Sequence, residues 1–458
     1  MLSTNRQDYI KDLEEVVFMF STGSDLDISH EQKTADDEYF DKFTLNGKVY
    51  EFKAQKHAET ALELKRYEKR FSKLALYKIL SEHYGENLPW GALTGIRPVK
   101  MARSFIGGFE SEFKKVFSVR DDKIALTRDV IKTQCKILDR NAEFSDFYVG
   151  VPFCPSRCVY CSFISEEISK SKYASLYTDA LVKEINGSVN LTPKVRAVYL
   201  GGGTPICLNK GDLIKILSAL SPLIKDGVEF TVEAGRPDEI TSEKLEILKS
   251  FGVTRVCVNP QTFKDETLKI IGRKHTGADI IEKFKLAKSY GFDINCDVIA
   301  GLPEESFSDF KSTIDKIIEL SPENATVHTL SLKKGSVLKE RTARLTAGEL
   351  DKMLTYAYSA LKGAGYEPYY LYRQKYMAGN FENVGYAKKG KACVYNVDVM
   401  EETSDNVACG ANAVSKVVIK SEDRIERYGA PKDIKTYIDK VDEIIEEKKK
   451  LFGENKNA

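Results

Sequence analysis

The sequence predicts an α/β protein whose centre is an open, partial (β/α)6 barrel, with an N-terminal accessory domain and a C-terminal α+β domain. The chain has 458 residues, too many for one ordinary hydrophobic core. Short β-branched runs alternate with helical patterns from residue 146 to 335, and this alternation indicates a parallel sheet with right-handed crossovers. The flanking segments lack it, so we expect domains at residues 1–145, 146–335 and 336–458.

The N-terminal segment is rich in charged and aromatic residues. Apolar residues recur at intervals of three and four over 56–85, which predicts a long helix ending near Gly85. The sequence LPWGALTGIRP follows at 88–98 and holds the only tryptophan, Trp90. A second helix is predicted over 121–140.

The central segment supplies the six barrel strands. Helical patterns separate the expected strands, which are FYVGVPF (147–153), VRAVYL (195–200), VEFTVEA (228–234), VTRVCVN (253–259), FDINCDVI (292–299) and ATVHTLSL (325–332). In barrels of this kind, functional groups gather at the carboxyl ends of the strands. The C-terminal segment predicts a helix over 341–366, several short strands and a closing charged helix over 431–452.

Composition narrows the possible partners and locations. Lysine and arginine together number 69 and aspartate and glutamate 68, so no overall basic field exists to attract nucleic acid. The first twenty residues lack the pattern of a secretory signal, and no apolar run approaches the length of a membrane span. We therefore expect a cytoplasmic, monomeric protein that binds neither nucleic acid nor membranes.

Three of the nine cysteines lie within eight residues after the first strand, at Cys154, Cys158 and Cys161. Clustered cysteines in a reducing compartment are typical of metal sites. Three thiolates can hold three corners of an iron–sulfur cube and leave one iron open to a substrate. The same logic distinguishes zinc sites, since catalytic ones keep an open position and structural ones do not. A zinc site completed by a distant histidine or cysteine is the alternative.

Polar groups and glycines follow the other strands. Three glycines let a ligand approach the backbone closely after the second strand, in GGGTP (201–205). Two carboxylates, an amide and an arginine at successive strand ends can together bind an ammonium, a carboxylate and a ribose. These groups are Glu233, Gln261, Arg273 and Asp297.

This combination resembles the radical S-adenosylmethionine (AdoMet) superfamily. The spacing of the cysteines, with Tyr160 before the last of them, and the GGGTP motif carry that resemblance. The fuller set, with VEA, Arg273-Lys274-His275 and GLP after Asp297, is similar to the oxygen-independent coproporphyrinogen III oxidase family. Within it, PFCPSRCVYCSF, LTGIRP and YYLYRQKYMAGNFENVGYA resemble the HemZ-type proteins, often called coproporphyrinogen dehydrogenases.

The resemblance implies a role for each matching residue. Cys154, Cys158 and Cys161 would hold a 4Fe-4S cluster, beside which Tyr160 would pack. AdoMet would bind the open iron, and its methionine part, or a second AdoMet, would contact the glycine loop. The remaining positions match AdoMet contacts of the oxidases, and one of them, Tyr148, is also expected to be catalytic. The glycine-loop residues are Gly202, Gly203 and Thr204, and the matching positions are Tyr148, Glu233, Gln261, Arg273 and Asp297.

The implied reaction belongs to haem biosynthesis. One electron, from a donor such as flavodoxin or ferredoxin, would split AdoMet into methionine and a 5′-deoxyadenosyl radical. That radical would remove a hydrogen atom from a propionate of coproporphyrinogen III, and two rounds with loss of carbon dioxide would give protoporphyrinogen IX. The cofactors carry this chemistry, while the protein binds, orients and shields them, in part through a C-terminal domain that covers the substrate.

Two positions depart from the oxidase pattern. Gly150 stands where the oxidases have a histidine, and Ser162 follows the motif where they have a fourth cysteine. Relatives with near-identical cores act as haem chaperones or on other tetrapyrroles, and these remain the alternative functions.

Overall fold

The structure is a computed structural model that describes residues 2–20, 26–35, 38–55, 61–105, 108–138, 144–161, 165–192, 194–331, 347–374, 380–422 and 424–454. The chain divides into two compact units. The first comprises Met1–Arg128 and Tyr372–Glu382, and the second comprises Asp129–Leu371 and Asn383–Ala458. The division into three domains stays a prediction.

In its described residues, the first unit contains a four-stranded sheet, four complete α-helices and the beginning of a fifth, over residues 121–128. Its strands follow the order β1-β2-β3-β4, with β1 parallel to β2 and the remaining pairs antiparallel. Its elements are β1 (Leu2–Thr4), α1 (Ile10–Phe20), β2 (Ile28–Ala35), β3 (Glu38–Leu45), β4 (Lys48–Gln55), α2 (Ala61–Tyr84), α3 (Pro98–Arg103) and α4 (Phe109–Lys115).

The helix predicted to end near Gly85 is confirmed as α2. Gly85 has a positive φ of 65°, a conformation that stops a helix and that glycine adopts without strain. Residues 56–60 of that prediction lie outside the described residues. The second predicted helix is α5 (Asp121–Gln134), which ends six residues earlier than expected.

The second unit is built on an eleven-stranded sheet and its covering helices. The strands and helices of its first half are β5 (Ser145–Val151), β6 (Phe153–Cys154), β7 (Glu166–Glu167), α6 (Ala174–Ser188), β8 (Val195–Gly202), α7 (Lys210–Leu220), β9 (Glu229–Val232), α8 (Ser242–Ser250), β10 (Arg255–Cys257), α9 (Asp265–Ile270) and α10 (Gly277–Ser289). Those of its second half are β11 (Asp293–Ala300), α11 (Phe307–Leu320), β12 (Asn324–Thr329), α12 (Ala347–Gly363), β13 (Glu367–Tyr372), β14 (Asn383–Ala387), α13 (Val394–Glu401), β15 (Asp405–Cys409), β16 (Val414–Ile419), β17 (Arg424–Gly429), α14 (Ile434–Asp439) and α15 (Val441–Glu454).

Six parallel strands form the middle of this sheet, in the order β5-β8-β9-β10-β11-β12. They coincide with the six predicted strands, so the α/β fold class and the open, partial (β/α)6 barrel are confirmed. The sheet does not close, because its order begins at β13 and ends at β17. Since parallel strands present their carboxyl ends at one edge, the segments after β5, β8, β9, β10 and β11 meet there.

C-terminal strands extend this same sheet on both sides. β14 pairs antiparallel with β12, and β15 pairs parallel with β5, with Cys409 opposite Val149. The predicted closing helix is two helices, α14 and α15, which meet at Lys440 with no glycine or proline to mark the break. None of the described helices is both long and apolar enough to cross a membrane.

Candidate active site

The cysteine loop follows β5 and is held by main-chain hydrogen bonds. Cys161 N donates to Cys158 O at 3.1 Å, and Val159 N donates to Ile271 O at 3.2 Å. Cys154 ends the short strand β6, which pairs with β7. All three cysteines are half-buried, as a cluster-binding loop that admits a small ligand requires. Ser162 lies outside the described residues.

The glycine loop after β8 packs directly against the cysteine loop. Gly203 N donates to Val151 O at 2.8 Å, and Thr204 N donates to Phe153 O at 2.7 Å. Thr204 Oγ1 lies 3.6 Å from Cys154 Sγ. A Cβ on Gly203 would lie 2.3 Å from the Phe153 oxygen, so this close approach requires glycine.

Glu233 follows β9 and faces the interior of the partial barrel. Tyr199 OH donates to Glu233 Oε1 at 2.7 Å. Burial raises the pKa of Glu233 to about 7, and the charge of Asp297 adds to this rise while the Tyr199 hydrogen bond opposes it. The carboxyl therefore titrates near neutral pH.

Three tyrosines line the interior beside Glu233. The rings of Tyr148 and Tyr199 are stacked with centroids 6.3 Å apart, and those of Tyr199 and Tyr395 with centroids 4.6 Å apart. Sequence reasoning placed Tyr148 here and missed the other two. Alternation along β8 would have found Tyr199, because it lies two residues before Gly201, the first glycine of GGGTP, and therefore shares its face of the strand.

Asp297 and Gln261 are joined across neighbouring strands. Gln261 N donates to Asp297 O at 2.9 Å, and Asn295 Nδ2 donates to Asp297 Oδ1 at 2.7 Å. Burial favours the neutral form of Asp297, but hydrogen bonds from neighbouring side chains, that of His328 first, outweigh it and lower the pKa of this carboxyl. Asp297 is thus an anion next to Gln261.

Arg273 links the loop after β10 to the cysteine loop. Its Nη1 donates to Asn259 O at 2.6 Å and its Nη2 donates to Tyr160 OH at 3.2 Å. The arginine is only 7% exposed, and its hydrogen bond holds Tyr160 beside the cysteines. The structure thus places Tyr148 within β5 and the other predicted residues on neighbouring loops and strand ends of one edge.

The donor set fits the two groups that the sequence predicts. Gln261 Oε1 is buried and has no hydrogen-bond partner within the described part of the chain, so it is available to a ligand hydroxyl. In the same part of the chain, no three His, Cys, Asp or Glu side chains are grouped as ligands of a single metal ion. A cubane cluster does not need such a group, because each cysteine binds a different iron atom.

Comparisons with known proteins agree with this geometry. The family described as the radical SAM superfamily matches residues 148–317. The oxygen-independent coproporphyrinogen-III oxidase-like protein HemZ of Bacillus subtilis is 36% identical over 395 residues, covering 82% of this chain and 79% of that protein. The haem chaperone HemW of the same organism is 34% identical over 196 residues, covering 42% of this chain and 51% of that protein.

A solved structure supports the fold. The coproporphyrinogen III oxidase HemN of Escherichia coli, described as a radical SAM enzyme, has a TM-score of 0.54 at 21% identity and covers 70% of this chain and 73% of its own. Radical SAM proteins bind a 4Fe-4S cluster and AdoMet. The chain therefore belongs to the radical SAM superfamily and, within it, to the family of HemZ-like, oxygen-independent coproporphyrinogen-III oxidase-like proteins.

Proposed function

We propose that this protein catalyses the oxygen-independent oxidative decarboxylation of coproporphyrinogen III to protoporphyrinogen IX. The observation that carries the proposal is the extent of the similarity to HemZ, which spans 82% of the chain. The match to HemW of the same organism covers 42%, about the length of the barrel, and a match to HemW of Haemophilus influenzae reaches 64% at only 25% identity. Segments outside a shared barrel commonly determine which substrate such an enzyme accepts.

The chain's own residues would hold both cofactors. Cys154, Cys158 and Cys161 provide the three thiolates of the cluster. When bound, the cluster and AdoMet supply the radical chemistry that removes a hydrogen atom from the substrate. Glu233 is suited to the ammonium group of AdoMet, since a carboxylate paired with a cation favours its own ionised form.

The other strand-end residues would orient the rest of AdoMet. Asp297 and the free oxygen of Gln261 both accept hydrogen bonds, as ribose hydroxyls require. Gly202, Gly203 and Thr204 bring the backbone close to the methionine part, and Arg273 fixes Tyr160 beside the cluster. Tyr148 has its pKa raised by burial and by Glu233, so its phenol stays protonated and can donate to bound groups.

The aromatic interior would shield the reaction. The stacked rings of Tyr148, Tyr199 and Tyr395 form an aromatic wall beside Glu233, which would help to keep water from the bound cofactors. We further propose a tetrapyrrole substrate, reduction by a flavodoxin or ferredoxin, and a monomeric, cytoplasmic protein with the three domains predicted from the sequence.

An anaerobic turnover assay tests the proposal. Protein with a reconstituted cluster is mixed with a reductant, AdoMet and coproporphyrinogen III, and the products are measured by mass spectrometry. We expect protoporphyrinogen IX and 5′-deoxyadenosine together, and neither from Cys158→Ala, which lacks one cluster ligand. Deoxyadenosine without a decarboxylated porphyrinogen would contradict the proposed substrate.

The second candidate is a haem-binding protein, and the 34% identity to a haem chaperone favours it. It predicts one haem per chain in an anaerobic titration followed by absorbance, together with no decarboxylation by protein that carries a full cluster. Turnover of coproporphyrinogen III would decide against it.

A further inference from the structure

A buried arginine, Arg236, lies behind the cysteine loop and has no part in the proposed reaction so far. It follows Glu233 by three residues on the loop after β9 and is 3% exposed. Its Nη1 lies 3.6 Å from Cys158 Sγ and 3.1 Å from Ser156 Oγ, and also 3.4 Å from Ser156 O. The Nη1 amino group of the guanidinium therefore faces both the sulfur of a cluster ligand and the turn that precedes it.

The remaining donors of this guanidinium are fixed by Asp238. Arg236 Nε donates to Asp238 Oδ1 at 3.0 Å, and Nη2 donates to Oδ2 at 2.9 Å. His275, which is 5% exposed, places Nδ1 3.4 Å from the same Oδ1. Such a bidentate pair holds the planar guanidinium in one orientation, which lysine could not reproduce.

We propose that Arg236 is a positioning residue for the 4Fe-4S cluster, donating a hydrogen bond to the Cys158 sulfur and raising the cluster's reduction potential. The inference rests on the proposed function only in that Cys158 binds a cluster. It does not depend on which tetrapyrrole is the substrate or on whether one is turned over.

The direction of the effect follows from charge. One-electron reduction adds one negative charge to the cluster and its three thiolates, and no atom is transferred. A guanidinium buried against one of those thiolates stabilises the more negative, reduced state more than the oxidised one. Hydrogen bonds to the sulfurs and burial are known determinants of cluster potentials.

The nearby charges do not replace this contact. Arg273 directs its Nη atoms to Asn259 O and to Tyr160 OH, and its buried charge also acts on Cys158, so its effect adds to that of Arg236. Lys274 is exposed to solvent, where water screens its charge. Asp238 carries a negative charge but is already paired with both Arg236 and His275.

The test is a redox titration of reconstituted protein without substrate, followed by electron paramagnetic resonance, with iron and sulfide content measured in parallel. We expect Arg236→Gln to keep its iron and sulfide and to have a lower midpoint potential. Arg236→Lys should shift less, since it keeps the charge without the fork. The matched control is Lys274→Gln, which removes one exposed charge from the neighbouring loop and should leave the potential unchanged.

Asp238→Asn provides a second, milder variant. It keeps the Arg236 charge but removes the negative charge of Asp238, so by the same charge argument we expect the midpoint potential to rise rather than to fall. If Arg236→Gln loses its iron, the midpoint potentials of Arg236→Lys and Asp238→Asn test the proposal instead. An unchanged potential in a variant with full iron, or a shift equal to that of Lys274→Gln, overturns the proposal whatever the turnover assay shows.

Discussion

Glu233 is a partly buried carboxyl group beside Tyr199. Its folded-state pKa of about 7 lies above its ordinary value of 4.5, so it stabilises the fold at low pH and this contribution is lost as pH rises toward 7. We expect Glu233→Gln, which still accepts the Tyr199 hydrogen bond, to raise the free energy of unfolding of cofactor-free protein near pH 8. The gain is up to about 3 kcal/mol, and it becomes small near pH 5.

Urea unfolding at the two pH values measures this difference. Glu243→Gln is the control, because Glu243 pairs with Lys210 on the surface and should show no gain. An equal gain at both pH values would show that Glu233 does not titrate between them.

At the level of single residues, the sequence predicted the strand-end groups and missed those that act through another side chain. Cys158 and Gln261 could be predicted because a ligand needs their chemistry and they follow recognisable strands. Arg236 could not, since its function depends on the direction of one guanidinium and on the carboxylate that holds it. Tyr395 could not, since its helix, α13, lies more than one hundred residues beyond the strands that it packs against.

The glycine loop depends on one contact that a methyl group would destroy. Gly203→Ala would bring a Cβ within 2.3 Å of the Phe153 oxygen, so the backbone of the glycine loop must move away from the cysteine loop. We expect loss of AdoMet binding in equilibrium dialysis and reduced iron content. Thr204 would then lose its contact with Cys154.

Gly211→Ala is the matched control eight residues later. Gly211 lies in the first turn of α7, where a Cβ would meet only Asn209 Oδ1 at 3.4 Å. Alanine forms helices better than glycine by about 1 kcal/mol, so this variant should bind AdoMet normally and be slightly more stable. Normal AdoMet binding by Gly203→Ala would show that the loop tolerates displacement.

At the level of elements, the barrel strands were predictable and the sheet of the first unit was not. The barrel strands are buried on both faces and read as apolar runs. In β2 the inward positions include His30 and Gln32, which are buried and satisfied by Thr4, Asp41 and Ser72. Polar residues at inward positions hide the alternation of apolar and polar residues by which a strand is recognised in a sequence.

At the level of the whole second unit, the C-terminal segment is part of the barrel's own sheet. The parallel pairing of β15 with β5 covers the edge of the strand that leads into the cysteine loop. Glu184 of α6 secures this arrangement, since it accepts from Gly410 N at 2.8 Å and from Tyr437 OH. Its other oxygen forms an ion pair with Lys448 Nζ at 2.6 Å.

Two ion pairs between α6 and α15 allow a direct test of what holds the C-terminal helices. Lys448 and Glu184 have side chains 1% and 0% exposed, whereas the adjacent pair of Lys183 and Asp442 is 54% and 77% exposed. Removing one partner of a buried pair leaves an uncompensated charge and costs about 3–5 kcal/mol, against less than about 1 kcal/mol for an exposed pair. We therefore expect Lys448→Met to lower the free energy of unfolding severely and Lys183→Met hardly at all.

The double variant Glu184→Gln with Lys448→Met separates the cost of an unpaired charge from the loss of packing. It removes both charges and keeps an acceptor for Gly410 N and Tyr437 OH, so it should recover most of the lost stability in urea unfolding. Equal losses in Lys448→Met and in the double variant would mean that the lysine stem, and not its charge, packs α15 onto α6. In either case hydrogen exchange at β15 should rise with the instability, because Gly410 joins this strand to Glu184.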